Sequence, residues 1–346
     1  MTANVRHILL LLLVTLILNG CASMGQAMKA SPSLANLGGI VTISDRWLEE
    51  RYVNDESQFM RVNGYRIHYR DIGQGEPIIL MHGIFSSLQT WDSWVRELSR
   101  THRVIALDMP GYGMTGAPEN PDNFDEDNIV NTVAKFVERL DLDGITLVGN
   151  SLGGFVASQY AAQYRDRVDR LALIDPFGYP QQTPFLLDLG TWFPIQFMGQ
   201  WVQPPFFVTF ALSTAYGDAD RISDRDAYRY VHMSQREGAK PIYMETLKMV
   251  EARAENNDPL PFYRIKAPTL LMWGEDDEWV PISLAERWLA DITRSALVTY
   301  PGVGHIPMEE SPEATLEDFR RFLRSGLSPF SESVAGTRDK AGEEGS

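Results

Sequence analysis

The stretch Gly149-Asn150-Ser151-Leu152-Gly153-Gly154 decides how this chain is read. It follows an apolar run, Ile145-Thr146-Leu147-Val148, whose residue types suit a buried strand. It precedes Phe155-Val156-Ala157-Ser158-Gln159-Tyr160-Ala161-Ala162, which suits a helix. Gly-x-Ser-x-Gly at a strand-to-helix joint is a nucleophile elbow. So tight a turn leaves no room for side chains at its flanks, which calls for glycine at 149 and 153. The serine then stands at a strained apex, hydroxyl exposed, with a helix N-terminus behind it. Ser151 is the candidate attacking group.

Outward from the elbow, short apolar runs alternate with helical stretches. The runs are Ile78 to His82, Val104 to Asp108, Ile145 to Gly149, Leu171 to Asp175, Thr269 to Trp273 and Ala296 to Tyr300. Continuous apolar strands separated by helices predict a parallel sheet covered on both faces. Upstream, Gln58 to Val62 and Arg66 to Asp71 flank Asn63-Gly64, a strong hairpin turn. The expected class is α/β: a mostly parallel eight-stranded sheet flanked by helices. Its body is expected to span residues 42–177 and 263–327, with a short helix within Thr42 to Asn54 docked on it.

Between Asp175 and Thr269 the alternation stops. Prolines break this stretch at 180, 184, 194, 204 and 205, and it carries Phe185, Trp192, Phe193, Phe197, Trp201, Phe206, Phe207 and Phe210. Residues 178–262 therefore read as a helical cap inserted after the sixth strand. Most of these aromatics are expected to pack the cap's own small core. The sharper expectation is that several face Ser151 and line an apolar pocket. Residues 328–346 are polar, charged and glycine-containing, and read as a disordered tail.

A serine hydroxyl needs a base to take its proton, and the base needs an orienting acid. Of six histidines, His7, His68, His102 and His232 fall in the leader, the hairpin, a polar link and the cap. His305 lies in Pro301-Gly302-Val303-Gly304-His305, just after the last strand. There it shares with Ser151 the carboxyl end of a parallel sheet, where reacting groups gather. His82 also ends a strand, but Gly83 follows at once, and a structural part suits it better. For the acid, Gly274-Glu275-Asp276-Asp277-Glu278 offers several carboxylates after the seventh strand, and Asp175 after the sixth is a rival. The order serine, acid, histidine fits either. No metal-ligand cluster or cofactor motif is present, and none is expected to be needed.

The chain carries a formal charge of −15 over 346 residues, which argues against nucleic acid or anionic lipid surfaces as direct partners. Its first residues do not belong to the fold. Arg6-His7 precedes an almost wholly apolar run from Ile8 to Leu18, short for a membrane span and right for a signal h-region. Residues 1–20 read as a signal peptide. Residues 21–41, rich in Ser, Ala, Gly and Met, read as a tether. Cys21 is the sole cysteine, so no intrachain disulfide can form.

Two resemblances add to this. Leu18-Asn19-Gly20-Cys21 resembles the bacterial lipoprotein box, with Asn19 a less usual occupant. The resemblance implies cleavage before Cys21, a lipid on it and a cell-envelope location. Ala22, where aspartate would signal inner-membrane retention, points to the outer membrane facing the periplasm. Over roughly Arg61 to Leu323 the chain resembles the α/β-hydrolase superfamily. The marks are His82-Gly83, Asp108-Met109-Pro110-Gly111-Tyr112-Gly113, the elbow, the segment Gly274 to Asp277, and Gly304-His305. Thr115, where serine is frequent, is a mild departure. The resemblance implies Asp277 as the acid and main-chain N–H groups of Leu152 and Ile84 as oxyanion donors. Losing one such donor costs about 3 kcal/mol in the barrier.

Fold does not choose among this superfamily's chemistries. Serine at 151 in place of aspartate argues against the dehalogenases and epoxide hydrolases that work through a carboxylate. A peptidase needs a site for a charged terminus, which an aromatic cap does not offer. The first expectation is a serine carboxylesterase or lipase-like enzyme acting on a small apolar ester through an acyl-enzyme on Ser151. Gly-Asn-Ser-x-Gly-Gly also resembles the carbon–carbon bond hydrolases of aromatic breakdown. Those tend to carry tryptophan after the catalytic histidine, where this chain has Ile306. A third expectation, from another class, is a hydrophobic-ligand binder with little turnover.

Overall fold

The computed structural model describes residues 39–40, 42–182, 185–256, 258 and 260–330. The expected signal peptide, the Cys21 lipidation site, nearly all of the tether and residues 331–346 of the expected tail lie outside the described residues.

Eight strands form one sheet: β1 Ser57–Val62, β2 Tyr65–Ile72, β3 Pro77–Met81, β4 Arg103–Leu107, β5 Ile145–Asn150, β6 Val168–Ile174, β7 Thr269–Gly274 and β8 Ser295–Tyr300, in the order β1-β2-β4-β3-β5-β6-β7-β8. β1 pairs antiparallel with β2, and β2 with β4; every other pair is parallel. The expected hairpin turns at Asn63, whose φ of 52° shows why a small polar residue stands there. β6 begins earlier than the apolar run suggested. Val168 is buried, but the next two side chains, Asp169 and Arg170, reach solvent, so they are polar although the backbone is already paired.

The helices in chain order are α1 Asp45–Tyr52, α2 Asp92–Leu98, α3 Glu126–Arg139, α4 Leu152–Gln163, α5 Phe185–Thr191, α6 Phe193–Gly199, α7 Pro205–Ala215, α8 Asp224–Ser234, α9 Ala239–Glu255, α10 Ala285–Asp291, α11 Pro307–Glu310 and α12 Pro312–Ser325. Helices α5 to α9 lie between β6 and β7, where the inserted cap was expected. The central strands are buried along their length: Ile78, Ile79 and Leu80 of β3, and Val104, Ile105 and Ala106 of β4, are inaccessible to solvent. Two covered faces explain their lack of alternation. α3 is two-faced instead, burying Ile129, Val133, Phe136 and Val137. It starts where the Asp125 carboxylate accepts the Asn128 N–H at 2.8 Å.

Buried charge clamps the cap to the body. Arg229 of α8 meets Glu309 of α11 at 2.7 Å, with both side chains buried. α1 spans the seam: Leu48 packs with Met114 of the body and Met233 of the cap. Asp45 pairs with Arg236 at 2.8 Å, and Tyr52 hydrogen-bonds His232 at 2.7 Å.

Two expectations need correction. The folded body continues past 327, because Ser328–Phe330 forms a 3₁₀ turn and buries Phe330. Nor do most cap aromatics build a cap core. Phe197, Trp201, Phe206 and Phe210 are exposed, while Phe206 and Phe207 line a cavity. The cap is small, and its buried side instead uses Leu212, Tyr230, Met233, Tyr243, Met244 and Leu247.

Candidate active site

Ser151 sits between β5 and α4 with φ 53° and ψ −118°, a conformation that L-residues rarely adopt. Such strain persists only where the surroundings fix it. A Cβ at Gly149 would lie 2.2 Å from the Gly153 carbonyl oxygen, and one at Gly153 would lie 2.3 Å from that of Met81. Both glycines are thus required by backbone approaching backbone, as the turn's tightness predicted.

His305 stands on the loop between β8 and α11, its Nδ1 2.8 Å from Asp277 Oδ2. Asp277 is buried, and its Oδ1 accepts the main-chain N–H groups of Trp279 (2.7 Å) and Val280 (2.9 Å). Those two bonds fix the carboxylate, and it fixes the imidazole. The Nδ1–H then points at Asp277 and leaves Nε2 as the free base. Nε2 is buried and has no protein partner among the described residues. Ser151 and His305 line one small cavity of about 20 Å³, together with Ile84, Leu152 and Trp279. A nucleophile–base hydrogen bond often tightens only when substrate arrives.

Asp175, the rival acid, is fully buried but does not touch His305. Its Oδ1 accepts the Gly274 N–H at 2.9 Å. Burial, reinforced by the neighbouring Asp277 charge, pushes its carboxyl well above the usual range. Asp175 is therefore a carboxyl biased toward its protonated form, beside an acid that contacts the histidine.

Ile84 follows β3, and Leu152 follows β5, its immediate neighbour in the sheet. The two backbone N–H groups named for the oxyanion therefore belong to adjacent strand ends, at the switch in strand order. Neither donates to an acceptor among the described residues. Gly83 allows the close approach, since a Cβ there would lie 2.9 Å from Ser151 Cβ. His82 is structural, as expected. Its Nδ1 bonds the Gly83 carbonyl at 2.7 Å and its Nε2 accepts the Met109 N–H at 3.0 Å. Burial keeps this imidazole neutral by lowering its pKa.

Several residues essential to this geometry were not singled out from sequence. Asn150 Nδ2 donates to the carbonyls of His305 (2.9 Å) and Ile174 (3.1 Å), tying the elbow to the histidine loop. Glu310 accepts from the N–H groups of Gly304, Gly217 and Asp218, joining that loop to the end of α7. Trp279 stacks on His305 at 5.3 Å between ring centroids. Asp108 accepts from Leu88 N–H (2.6 Å), Met114 N–H (2.7 Å) and the His68 ring (2.7 Å). Burial would raise its pKa, but the His68 ring and the Leu88 N–H help to hold it below the usual range. His68, set aside from sequence as a hairpin residue, is thus a loop anchor. Asn150 and Asp108 lay inside quoted motifs; nothing in sequence told which groups they would meet.

Above the small cavity lies a chamber of about 490 Å³, reaching His305, Ile84 and Trp279 and walled by α6, α7 and α9. Its lining includes Ile195, Met198, Val202, Phe206, Phe207, Val208, Leu212, Met244 and Leu247 and, among the described residues, no aspartate, glutamate, lysine or arginine. That volume is typical of a small-molecule site. Of the cap aromatics expected to face Ser151, Phe206 and Phe207 line this apolar chamber, which reaches His305, while Ser151 itself lines the small cavity.

Comparison with known proteins agrees with this architecture. The chain is 27% identical over 286 residues to the 2-hydroxy-6-oxo-6-(2'-aminophenyl)hexa-2,4-dienoic acid hydrolase of Metapseudomonas resinovorans, covering 81% of this chain and 92% of that one. Among solved structures, a meta-cleavage product hydrolase from Pseudomonas fluorescens IP01 superposes with a TM-score of 0.68 at 25% identity, covering 78% of this chain and 99% of the other. A membrane phospholipase A, described as a bacterial virulence factor, gives the same TM-score and identity and covers 93% of this chain and 99% of its own. The family model for the alpha/beta hydrolase fold matches residues 76–312, from the start of the parallel sheet to the first residue of α12. The chain belongs to the α/β-hydrolase fold family.

Proposed function

We propose that the protein hydrolyses a carboxylic ester of an apolar acid through an acyl-enzyme on Ser151. His305 takes the serine proton as the oxygen attacks the acyl carbon, and Asp277 holds the imidazole's tautomer and stabilises its cation. The oxyanion forms against the N–H groups of Ile84 and Leu152. His305 then protonates the departing alcohol. Water, deprotonated by the same ring, releases the acid. The observation that carries the reading is the chamber: it is largely apolar, opens on His305 and, among the described residues, is lined by no aspartate, glutamate, lysine or arginine.

A second reading has support of its own. Three curated relatives are named as hydrolases of oxo-dienoates or an oxo-dienoic acid, and on relatedness alone carbon–carbon bond hydrolysis is the better supported. Against it stands the same chamber: those names describe carboxylate substrates, and among the described residues no lysine or arginine lines the chamber to receive one. The two chemistries share attack by Ser151 on a carbonyl and diverge at the leaving group. The membrane phospholipase A among the structural neighbours favours the ester reading.

A panel of p-nitrophenyl esters of graded acyl length, run beside a 2-hydroxy-6-oxo-dienoate, decides between them. The ester reading expects turnover that rises with acyl length and disappears in Ser151→Ala. Turnover of the dienoate alone would overturn it. No turnover of either, with no labelling by a fluorophosphonate, would favour a ligand binder.

We further propose that Cys21 carries a lipid and holds the enzyme in the bacterial envelope, on the periplasmic side of the outer membrane. The supporting features are the h-region, the sole cysteine directly after it and Ala22.

A further inference from the structure

The cap has an outer face unlike the rest of this acidic molecule. From Leu189 to Gly217 no aspartate, glutamate, lysine or arginine occurs, although 22% of the chain is charged. Much of this stretch is surface. Phe197 and Trp201, edge to face at 4.8 Å, are each 53% exposed, and Phe206 and Phe210 on α7 are 70% and 56% exposed. A soluble surface does not gather four large aromatics without a reason. The helices are two-sided. Met198, Val202, Phe207 and Ala211 face the chamber, while Phe197, Trp201 and Phe210 do not line it. Phe206 does both, which puts it at the chamber's mouth.

The second observation is where the N-terminal segment joins the body. The Gln203 N–H donates to the Gly39 carbonyl at 3.2 Å, and a Cβ on Gly39 would lie 2.0 Å from the Gln203 oxygen. Gly39 and the exposed Ile40 thus lie against the Trp201 to Phe206 corner. Only Lys29 is charged between Cys21 and Ile40, and eighteen peptide units reach at most roughly 60 Å. A lipid on Cys21 would hold this corner, rather than the charged faces, near a bilayer.

We propose that the outer face of α6 and α7 lies on the surface of a lipid bilayer and that the chamber fills from it, so that the ester cleaved is a membrane-resident lipid whose aliphatic chain enters past Phe206. The proposal rests on the lipid anchor and on the apolar-ester reading, and its test separates them. Without cations on this face, contact comes from aromatic insertion, so it needs no anionic lipid and withstands salt.

The full-length protein is reconstituted in phosphatidylcholine vesicles. With Cys21 acylated, an introduced thiol is the one that takes a fluorescent label. Phe210→Cys tests the face, and Thr293→Cys, exposed beside the amino end of β8, is the control. The label at 210 is expected to be quenched by lipids brominated on their chains and shielded from iodide, and the label at 293 the reverse. The variant Phe197→Ser/Trp201→Ser/Phe210→Ser is expected to turn over a soluble short-chain ester within twofold of wild type. It is expected to lose at least tenfold on a long-chain ester dissolved in the vesicles. Equal iodide access at 210 and 293 would overturn the proposal whatever the activities. So would shielding at 210 without lipid quenching, which would mean a second protein copy on this face. Equal loss on both esters would overturn entry from the bilayer. Label on the wild-type chain would overturn the anchor, and the proposal with it. Lipid quenching with turnover of neither ester would leave the docked face standing and remove the ester reading.

Discussion

Two buried carboxylates lie behind the reactive serine, and charge separates their roles. Asp277 meets His305 and is satisfied by two main-chain donors; burial and the charge of its neighbour push the pKa of Asp175 well up. Asp277→Asn should leave the fold intact and lower kcat by about 10⁴, because an amide can donate to Nδ1 and select the wrong tautomer. Asp175→Asn puts a neutral group where burial already favours the neutral carboxyl and keeps an oxygen for the Gly274 N–H, so kcat is expected within a few-fold of wild type. The reverse pattern in steady-state kinetics would make Asp175 the acid. The same pair sets a pH dependence. The pKa of Asp175 is higher in the folded chain than in the unfolded one, so the native state holds the extra proton. Its contribution to stability is full below pH ~4 and falls as pH rises toward the folded value. Asp175→Asn should therefore match wild type in melting temperature near pH 4 and gain on it at pH 7 to 8. A constant difference across that range would count against a protonated Asp175.

Among the elements, α8 and α11 are joined by the buried Arg229–Glu309 pair. Burial would raise the pKa of Glu309, but Arg229 together with the Thr90 and Tyr216 hydroxyls more than offsets it, and the carboxylate stays ionised. Arg229→Met would leave that charge buried with no cation, at a cost of about 3–5 kcal/mol. Chemical denaturation should show the loss at pH 7. Because the pKa of Glu309 is depressed, the pair's contribution is present above the unfolded carboxylate's pKa and fades as pH falls through the folded one. The double variant Arg229→Met/Glu309→Gln should recover much of the stability. A single variant as stable as wild type would show that the cap is held by its apolar contacts alone. The histidine loop is fixed in a similar way, by Glu310 and Asn150 accepting and donating across elements far apart in sequence. No local pattern marks such residues, since their partners are backbone groups that only folding brings close.

For the whole molecule, the anchor and the chamber make separate predictions. Cys21→Ser should release the protein from the membrane fraction while leaving turnover of soluble esters unchanged, read by fractionation and by assay of each fraction. Continued sedimentation with the membrane would show that lipidation is not what holds it. The strand runs, the hairpin at Asn63-Gly64, the elbow and the interrupted alternation were all legible in the sequence. Each depends on a local period, a glycine requirement or a change of composition. By those means the sequence itself determined the sheet, the cap's place, Ser151 and His305 at strand ends, and a short list for the acid. Tertiary structure alone decided which carboxylate reaches the ring. Asp175 and Asp277 both follow strands and both are buried, and only the path of the loop after β7 turns one of them to His305. It alone decided, too, that the cap's aromatics divide between a chamber wall and an outer face. An apolar residue gives the same signal on either side of a helix, and its direction is set by what packs beneath.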